Sequence, residues 1–365
     1  MSCIVMVFIV GLMFPLTHAL SSHFIAPQYN DTYQVPFGAD GETREVHGYL
    51  SGILDLPTIF FYAICWIVVH AVVQEYGLDK VQKRTHLSKV STFKFGESFH
   101  MIFFTAYSLG HAFYAISERL EDFVDFKSVL RIWSGYPAEH RVMSISYKMF
   151  FIFQIGYWLH QFPEFYLQKL KREEIRQKTV ITVAYLGFIT VAYFTNFTRV
   201  GMVLLALEYA SQLIFHAARL AHFLGRKSIS SPAFYTFNIV FLFARFFSVV
   251  FAVMTFWYGL RQTETPFFSV VFAVMTFWYG LRQTETPFVD PTTGSFNTPA
   301  IRLNVLLAII LLQLYLLYNF VTFHVGRYRE SSAKKEKKKA AVAAASLPKK
   351  QKKNSESETD VKKKN

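Results

Sequence analysis

Long apolar runs, separated by short polar loops, recur along this chain of 365 residues. Hydrophobic residues make up 52% of the sequence and charged residues only 17%. About 20 apolar residues cross the hydrocarbon core of a bilayer as one helix, and in lipid each backbone polar group needs a partner within its own segment. The runs therefore predict an all-α polytopic transmembrane helical bundle rather than a soluble globular fold.

About eight apolar runs are candidates for spans. They lie near residues 3–15, 57–73, 99–116, 143–162, 180–195, 200–213, 232–258 and 303–323. The first run has two open interpretations: the apolar part of a signal peptide cleaved at Ala19, or an uncleaved first helix (or signal anchor) covering residues 1–20. No Lys or Arg precedes this run, which favours the uncleaved helix.

Basic residues recur in alternate loops. Lys and Arg crowd residues 80–94, 169–178 and 219–227, and the chain from residue 327 onward. Because cytoplasmic loops carry the excess of Lys and Arg, this pattern predicts that both termini are cytosolic. Residues 21–50 are then a luminal loop, and residues 51–93 hold the second span and a basic cytosolic loop.

Two sequons for N-glycosylation occur in the chain. Asn30 begins Asn-Asp-Thr in the predicted luminal loop, so we expect Asn30 to be glycosylated. Asn196 begins Asn-Phe-Thr in a tight turn between two apolar runs, where we do not expect a glycan.

A line of polar side chains follows the predicted helix after this turn. Glu208, Gln212 and His216 are spaced by four residues and therefore share one helical face. Arg245, near the middle of the next predicted span, lies at a similar depth, and we expect it to pair with Glu208. These four residues form the buried polar seam. A lone charge at mid-membrane costs roughly 2.5–3.5 kcal/mol, so these residues should face other protein or a wet cavity. The seam is then either a cavity for a nascent-chain segment or a lipid head group, or a structural contact between helices.

Residues 179–222 resemble the signature of the TLC-type membrane domain shared by ceramide synthases and the translocating chain-associated membrane proteins. The turn Asn-Phe-Thr-Arg-Val-Gly at residues 196–201 carries the match. Residues 68–80 and 157–169 make the resemblance closest to the translocating chain-associated proteins. It covers roughly residues 56–329, with the TLC-type domain at residues 94–329.

The chain departs from the ceramide synthases where these enzymes carry a His-His pair before the turn and a His-Asp pair after it. Ile181 and Thr182 occupy the first place, and Glu208 and Tyr209 the second, with Gln212 in place of a second Asp. Acyl transfer needs a base to activate the nucleophile, and the pattern lacks it. We therefore predict no enzyme activity and no cofactor. Other histidines within predicted spans, more often hydrogen-bonding residues between helices, are His70, His111 and His160.

The resemblance implies a multi-pass protein of the endoplasmic reticulum membrane that assists translocation or membrane insertion. Its implied partners are the Sec translocon channel, nascent secretory and membrane polypeptides, and membrane lipids. The alternative is a lipid-modifying enzyme or sphingolipid-binding protein built on the same bundle.

The last residues form a basic tail. Residues 330–365 are rich in Lys and Ala, and we predict that they are disordered and cytosolic. The charge could attract anionic lipid or the RNA of a ribosome, or only enforce topology. Lys362 and Lys363, next to the C-terminus, resemble a dilysine retrieval signal of the endoplasmic reticulum.

A tandem duplication interrupts the pattern. Residues 247–267 recur without a change as residues 268–288. Such identity indicates a recent duplication or a gene-model error rather than an architectural repeat. The apolar part of the second copy, residues 267–281, is short for a span, so we predict an interfacial or re-entrant luminal segment.

Overall fold

The structure is a computed structural model that describes residues 2–37, 42–85, 87, 89–118, 132–133, 135–168, 172–258 and 288–346. The helices are α1 Ser2–Gly11, α2 Pro15–Ile25, α3 Leu56–Val72, α4 Asp79–Thr85, α5 Lys89–Ser117, α6 Ala138–Arg141, α7 Ile145–Leu167, α8 Arg172–Phe194, α9 Thr198–Phe223, α10 Lys227–Val253 and α11 Pro299–Ser346. Short π-helical turns, Val73–Leu78 and Met254–Tyr258, follow α3 and α10. The described residues fall into two units, before and after residue 310.

Five helices within the described residues are long and apolar enough to cross a bilayer. They are Ile53–Thr85, Arg172–Phe194, Thr198–Phe223, Lys227–Trp257 and Pro299–Ala340. The predicted third and fourth spans fall in α5 and α7, which have 29 and 23 residues but carry more polar side chains and do not belong to these five. The polytopic all-α class is therefore confirmed, whereas eight spans and two cytosolic termini stay predictions.

The predicted first span is two helices in the structure. α1 and α2 have 10 and 11 residues, and Pro15 begins the second of them. Proline suits the first turn of a helix, whereas inside a helix it removes a backbone hydrogen bond and clashes with the preceding turn, and here a new helix begins at Pro15. The prediction of one helix over residues 1–20 is corrected accordingly.

A β-hairpin occupies the loop predicted at residues 21–50. Strands β1 (Asn30–Phe37) and β2 (Glu42–Tyr49) pair antiparallel over eight residues each, from Asn30 opposite Tyr49 to Phe37 opposite Glu42. Tyr49 also exchanges two backbone hydrogen bonds of 2.9 Å with Met143, just before α7. The hairpin is thereby fastened to the helical bundle.

The core lies around α7, which packs against α3, α5 and α8. Its central residues Phe150, Phe151 and Ile152 are fully buried. Gly156 lets α3 approach, because a Cβ there would lie 3.2 Å from the backbone nitrogen of Ala63. The two helices therefore pack closely at Gly156.

The last helix differs from the predicted disordered tail. α11 is 48 residues long and continues through Ser346, so residues 330–346 are helical. Ala, Lys and Glu, which favour helix, fill this stretch, and no proline occurs before Pro348. Lys362, Lys363 and the second copy of the duplication, apart from Phe288, lie outside the described residues.

Candidate functional site

The buried polar seam forms where α8, α9 and α10 supply side chains to one carboxylate. Arg245 Nη2 makes an ion pair with Glu208 Oε2. The Tyr185 hydroxyl donates to Glu208 Oε1 at 2.9 Å, and Gln212 Nε2 donates to the same oxygen at 2.8 Å. Gln212 Nε2 also contacts the Tyr185 hydroxyl. Both oxygens of Glu208 therefore have donors, as a carboxylate withdrawn from water requires.

His216, the fourth predicted seam residue, lies one helical turn beyond Gln212 and is 91% buried. Among the described residues, its Nδ1 atom has no hydrogen-bond partner, and neither do Gln212 Oε1 and Arg245 Nε. The structure thus brings Glu208, Gln212 and Arg245 together, leaves His216 beside them, and adds Tyr185. Three polar atoms of the seam retain unused hydrogen-bonding capacity.

An aromatic and amide chain extends the seam toward α5. The Tyr185 ring stacks on Trp158 with centroids 4.1 Å apart, and Trp158 Nε1 donates to the Tyr209 hydroxyl at 3.2 Å. Tyr209 in turn donates to Gln154 Oε1 at 2.8 Å, and Gln154 Nε2 donates to Ser108 Oγ at 2.9 Å. Tyr209 is therefore a fully buried structural hydrogen-bonding residue.

A second polar cluster, the histidine cluster, consists of His70, His100, His160 and Glu164. The rings of His70 and His100 stack with centroids 3.7 Å apart, and the rings of His70 and His160 lie 5.9 Å apart. His70 Nε2 is 3.4 Å from Glu164 Oε1. Sequence reasoning treated these histidines singly and missed the cluster, because they come from three helices that are distant in sequence.

His111 makes different contacts from the histidine cluster. Its Nε2 atom lies 3.0 Å from the Ser146 carbonyl oxygen, and its Nδ1 atom lies 3.3 Å from the Tyr107 hydroxyl. Within the described part of the chain, no group of three or more His, Cys, Asp or Glu side chains is arranged to hold a metal ion.

A third polar feature is a fully buried ion pair between Asp55 and Lys148, with Nζ 2.7 Å from Oδ1. Lys148 Nζ also donates to the carbonyl oxygens of Gln28 and Leu50, each at 2.7 Å. The Tyr193 hydroxyl donates to Asp55 Oδ2 at 2.8 Å. The pair ties both ends of the hairpin segment to α7. Sequence reasoning missed it, although one Lys inside an otherwise apolar run is a recognisable signal.

The signature turn at residues 196–201 is a structural junction. Asn196 adopts a left-handed backbone conformation with φ of 60°, which suits Asn better than most residues. Its side chain is buried; Nδ2 donates to the Gly294 carbonyl oxygen at 3.0 Å, and Oδ1 accepts from Ser51 Oγ at 3.3 Å. Asn30, by contrast, is exposed at the start of β1.

A buried tyrosine completes this junction. The Tyr136 hydroxyl donates to the Thr195 carbonyl oxygen at 3.0 Å and accepts a bond from the Phe296 backbone N–H at 3.0 Å. Burial raises the pKa of this hydroxyl above its ordinary value, since the charged form would lose its hydration. Tyr136 therefore stays a neutral crosslink between three loops.

Comparison with known proteins adds the family. Residues 94–322 match the family model described as the TLC domain. Translocating chain-associated membrane protein 2 of mouse and of human are each 36% identical over 328 residues, which cover 90% of this chain and 79% of the relative.

Proposed function

The chain belongs to the translocating chain-associated membrane protein family and carries its TLC domain, and from that premise we propose that it acts in protein translocation at the endoplasmic reticulum. In this role it contacts signal sequences and the membrane segments of nascent chains beside the Sec channel. It eases their passage across the membrane or their exit into lipid. The name of the relatives supports a role in translocation. The buried polar seam supports the proposed way in which the protein holds a nascent segment.

The observation that carries the proposal is the seam with its unused polar atoms. Gln212 Oε1 and His216 Nδ1 can accept hydrogen bonds, and Arg245 Nε can donate one. A nascent segment that carries a polar side chain enters lipid at a cost, because that group loses its water. Partners offered within the bundle lower the cost of holding such a segment until it moves on.

The contacts of Glu208 support a role without catalysis. A general base must be free to take a proton from the substrate. The two carboxylate oxygens of Glu208 already accept from Arg245, Tyr185 and Gln212. Neither Ile181 nor Thr182 supplies a base, because their side chains carry no group that takes up a proton near neutral pH. We propose that the protein is not an enzyme.

A lipid-handling role is the second candidate, and the same three polar atoms favour it. A lipid head group with a hydroxyl or an amide offers both a donor and an acceptor, which suits Gln212 Oε1 and Arg245 Nε. Incubation of the purified protein with an acyl thioester and a long-chain base separates the two candidates. Turnover that is lost with Glu208→Gln supports the enzyme, whereas no turnover argues against it and leaves lipid binding to be tested by retention of a labelled long-chain base.

Photo-crosslinking from stalled nascent chains in microsomes tests the proposed function. The probe sits in the apolar part of a signal sequence, and two clients are compared, one entirely apolar and one with a single Asn beside the probe. We expect both clients to crosslink to the protein. Absence of any crosslink, under conditions in which the Sec channel is labelled, contradicts the proposal.

A seam variant sharpens the same experiment. His216→Leu removes an unpartnered polar atom and leaves the ion pair intact, whereas Phe246→Leu is a matched change on the exposed side of α10. We expect His216→Leu to reduce the crosslink of the Asn client at least about threefold, a loss of some 0.6 kcal/mol or more. The apolar client and the Phe246→Leu protein should be unaffected.

A further inference from the structure

The last helix carries a strongly charged surface, the basic segment, which comprises residues 327–339 of α11. Its basic members are Arg327, Arg329, Lys334, Lys335, Lys337, Lys338 and Lys339, and its acidic members are Glu330 and Glu336. All nine of these residues are exposed. Because these residues lie in a helix, the spacing between their charges is fixed, and a partner binds a surface of defined geometry.

The basic segment begins only after the apolar part of the helix has ended. The apolar run reaches Phe323, and the basic segment itself contains no run of apolar residues; one follows only after it, as an Ala-rich stretch at residues 340–345. With a rise of about 1.5 Å per residue, Lys334 and Lys339 lie about 16 Å and 24 Å farther along the helix than Phe323. The lysines are therefore displaced along the helix axis from the end of the apolar run.

This displacement argues against an anionic lipid surface as the partner. The potential of charged lipids falls off within a Debye length, about 8 Å at physiological ionic strength. A helix that lies on a membrane also needs an apolar face. Successive helical residues turn by about 100°, so Lys334, Lys335 and Lys337 point to three different sides. The apolar residues within the segment are Tyr328 and Ala333, which lie about 140° apart around the helix, so the segment has no continuous apolar face.

We propose that the basic segment binds the phosphate backbone of structured RNA, such as the RNA of a ribosome that feeds a chain to the same membrane. A folded RNA presents backbone phosphates on several of its surfaces, so they can contact a helix that is positively charged on all sides. Release of counterions from the RNA drives such binding without reading its sequence. The identity of the RNA rests on the proposed function, whereas the binding chemistry rests on the helix alone.

Binding of the full-length protein in neutral phosphatidylcholine nanodiscs to a labelled RNA hairpin tests this proposal without any translocation. The test variant changes Lys334, Lys335, Lys337, Lys338 and Lys339 to Gln, which keeps a high helix propensity. The matched control changes five lysines outside the described residues, namely Lys349, Lys350, Lys352, Lys353 and Lys362, to Gln. Circular dichroism verifies that both variants keep their helix content.

We expect the test variant to lose affinity for the hairpin at least about tenfold at 0.1 M salt, and the slope of log K against log salt to become shallower by about two to four, at about 0.9 per phosphate contact. The control should lose less than about threefold. Equal losses in both variants overturn the proposal, because charge anywhere in the tail would then suffice. It also fails if phosphatidylserine vesicles compete with the hairpin as well as unlabelled RNA does at equal charge.

A nascent-chain crosslink combined with no RNA binding would refute this inference alone. RNA binding combined with no crosslink would refute the proposed function alone.

Discussion

Glu208 and Arg245 are ionisable residues whose side chains are only 17% and 6% exposed, and each compensates the charge of the other. Tyr185 and Gln212 complete the shell of the carboxylate. Arg245 also lies over the Phe241 ring, 5.0 Å from its centroid, where the face of the ring attracts a cation. The two charges of the seam therefore compensate each other. The atoms that still lack a hydrogen-bond partner among the described residues are Gln212 Oε1, His216 Nδ1 and Arg245 Nε.

A double-mutant cycle tests this pairing. Glu208→Ala or Arg245→Ala alone leaves the other charge buried, and we expect each change to cost about 3 kcal/mol of unfolding free energy. The double mutant should lose clearly less than the sum of the two, since neither charge remains. Unfolding of the detergent-extracted protein by denaturant measures all three values. Strictly additive losses would show that the two side chains do not interact.

The two sequons give a second prediction at this scale. Asn30 is exposed at the start of β1, whereas the side chain of Asn196 is buried and hydrogen-bonded. We expect microsomal protein to carry one glycan, which is lost with Asn30→Gln and unchanged with Asn196→Gln. A mobility shift on glycosidase treatment measures it. Two glycans would show that Asn196 is accessible to the glycosylation machinery. One glycan that persists in Asn30→Gln would show that Asn30 is not the glycosylated residue.

Among the elements, the long apolar runs predicted α3, α8, α9, α10 and the apolar first part of α11, because a helix that crosses a bilayer needs about 20 apolar residues in a row. The β-hairpin and the break at Pro15 were missed, because both lie in short segments whose structure depends on what they pack against. The histidine cluster was missed for a related reason. Contacts between helices distant in sequence leave no pattern in a single sequence.

The seam was the most predictable part of the candidate site. Spacing by four placed Glu208 and Gln212 on one face, and chain order placed Arg245 near their depth. Tyr185 could not be predicted, because a tyrosine in a membrane helix has no spacing that distinguishes a hydrogen-bonding role from packing. Residues 330–346 of the predicted disordered tail are helical, because Ala, Lys and Glu favour a helix despite the high charge, and residues 347–365 lie outside the described residues.

Lys148 connects α7 to Asp55 and to the two ends of the hairpin segment, so its removal should destabilise all three. We expect Lys148→Met to cost about 3–5 kcal/mol, because it leaves Asp55 buried without its cation. Lys178→Met is the control: its partner Glu97 is 31% exposed, so the loss should stay below about 1 kcal/mol. Limited proteolysis should also cut the hairpin faster in Lys148→Met. Equal stability of the two variants would contradict the structural role of the buried pair.

In the molecule as a whole, described residues in the first copy of the duplication and after the second copy contact the turn at residues 196–201. The Phe256 ring, in the first copy, lies 5.1 Å from the Phe197 ring, and Gly294, after the second copy, binds Asn196. The described residues before and after residues 259–287 therefore both contact the turn at residues 196–201. Nine residues, 259–267, would remain as a connection after one copy is deleted, and an extended segment of that length reaches about 30 Å.

We expect deletion of residues 268–288 to leave the fold intact. The melting temperature of the extracted protein should change by less than about 2 °C, since no described contact of the bundle is removed. The glycan at Asn30 should persist, which reports unchanged orientation. A large loss of stability, or a changed glycan, would show that the second copy is part of the architecture.

In the proposed mechanism, buried polar side chains hold a passing segment and perform no reaction on it. Translocation into proteoliposomes that contain the Sec channel, with and without this protein, measures whether that holding is needed. We expect a precursor with a weakly apolar signal to depend on the protein, a precursor with a strongly apolar signal not to depend on it, and His216→Leu to impair only the former. If both precursors are translocated equally well without the protein, the mechanism is wrong.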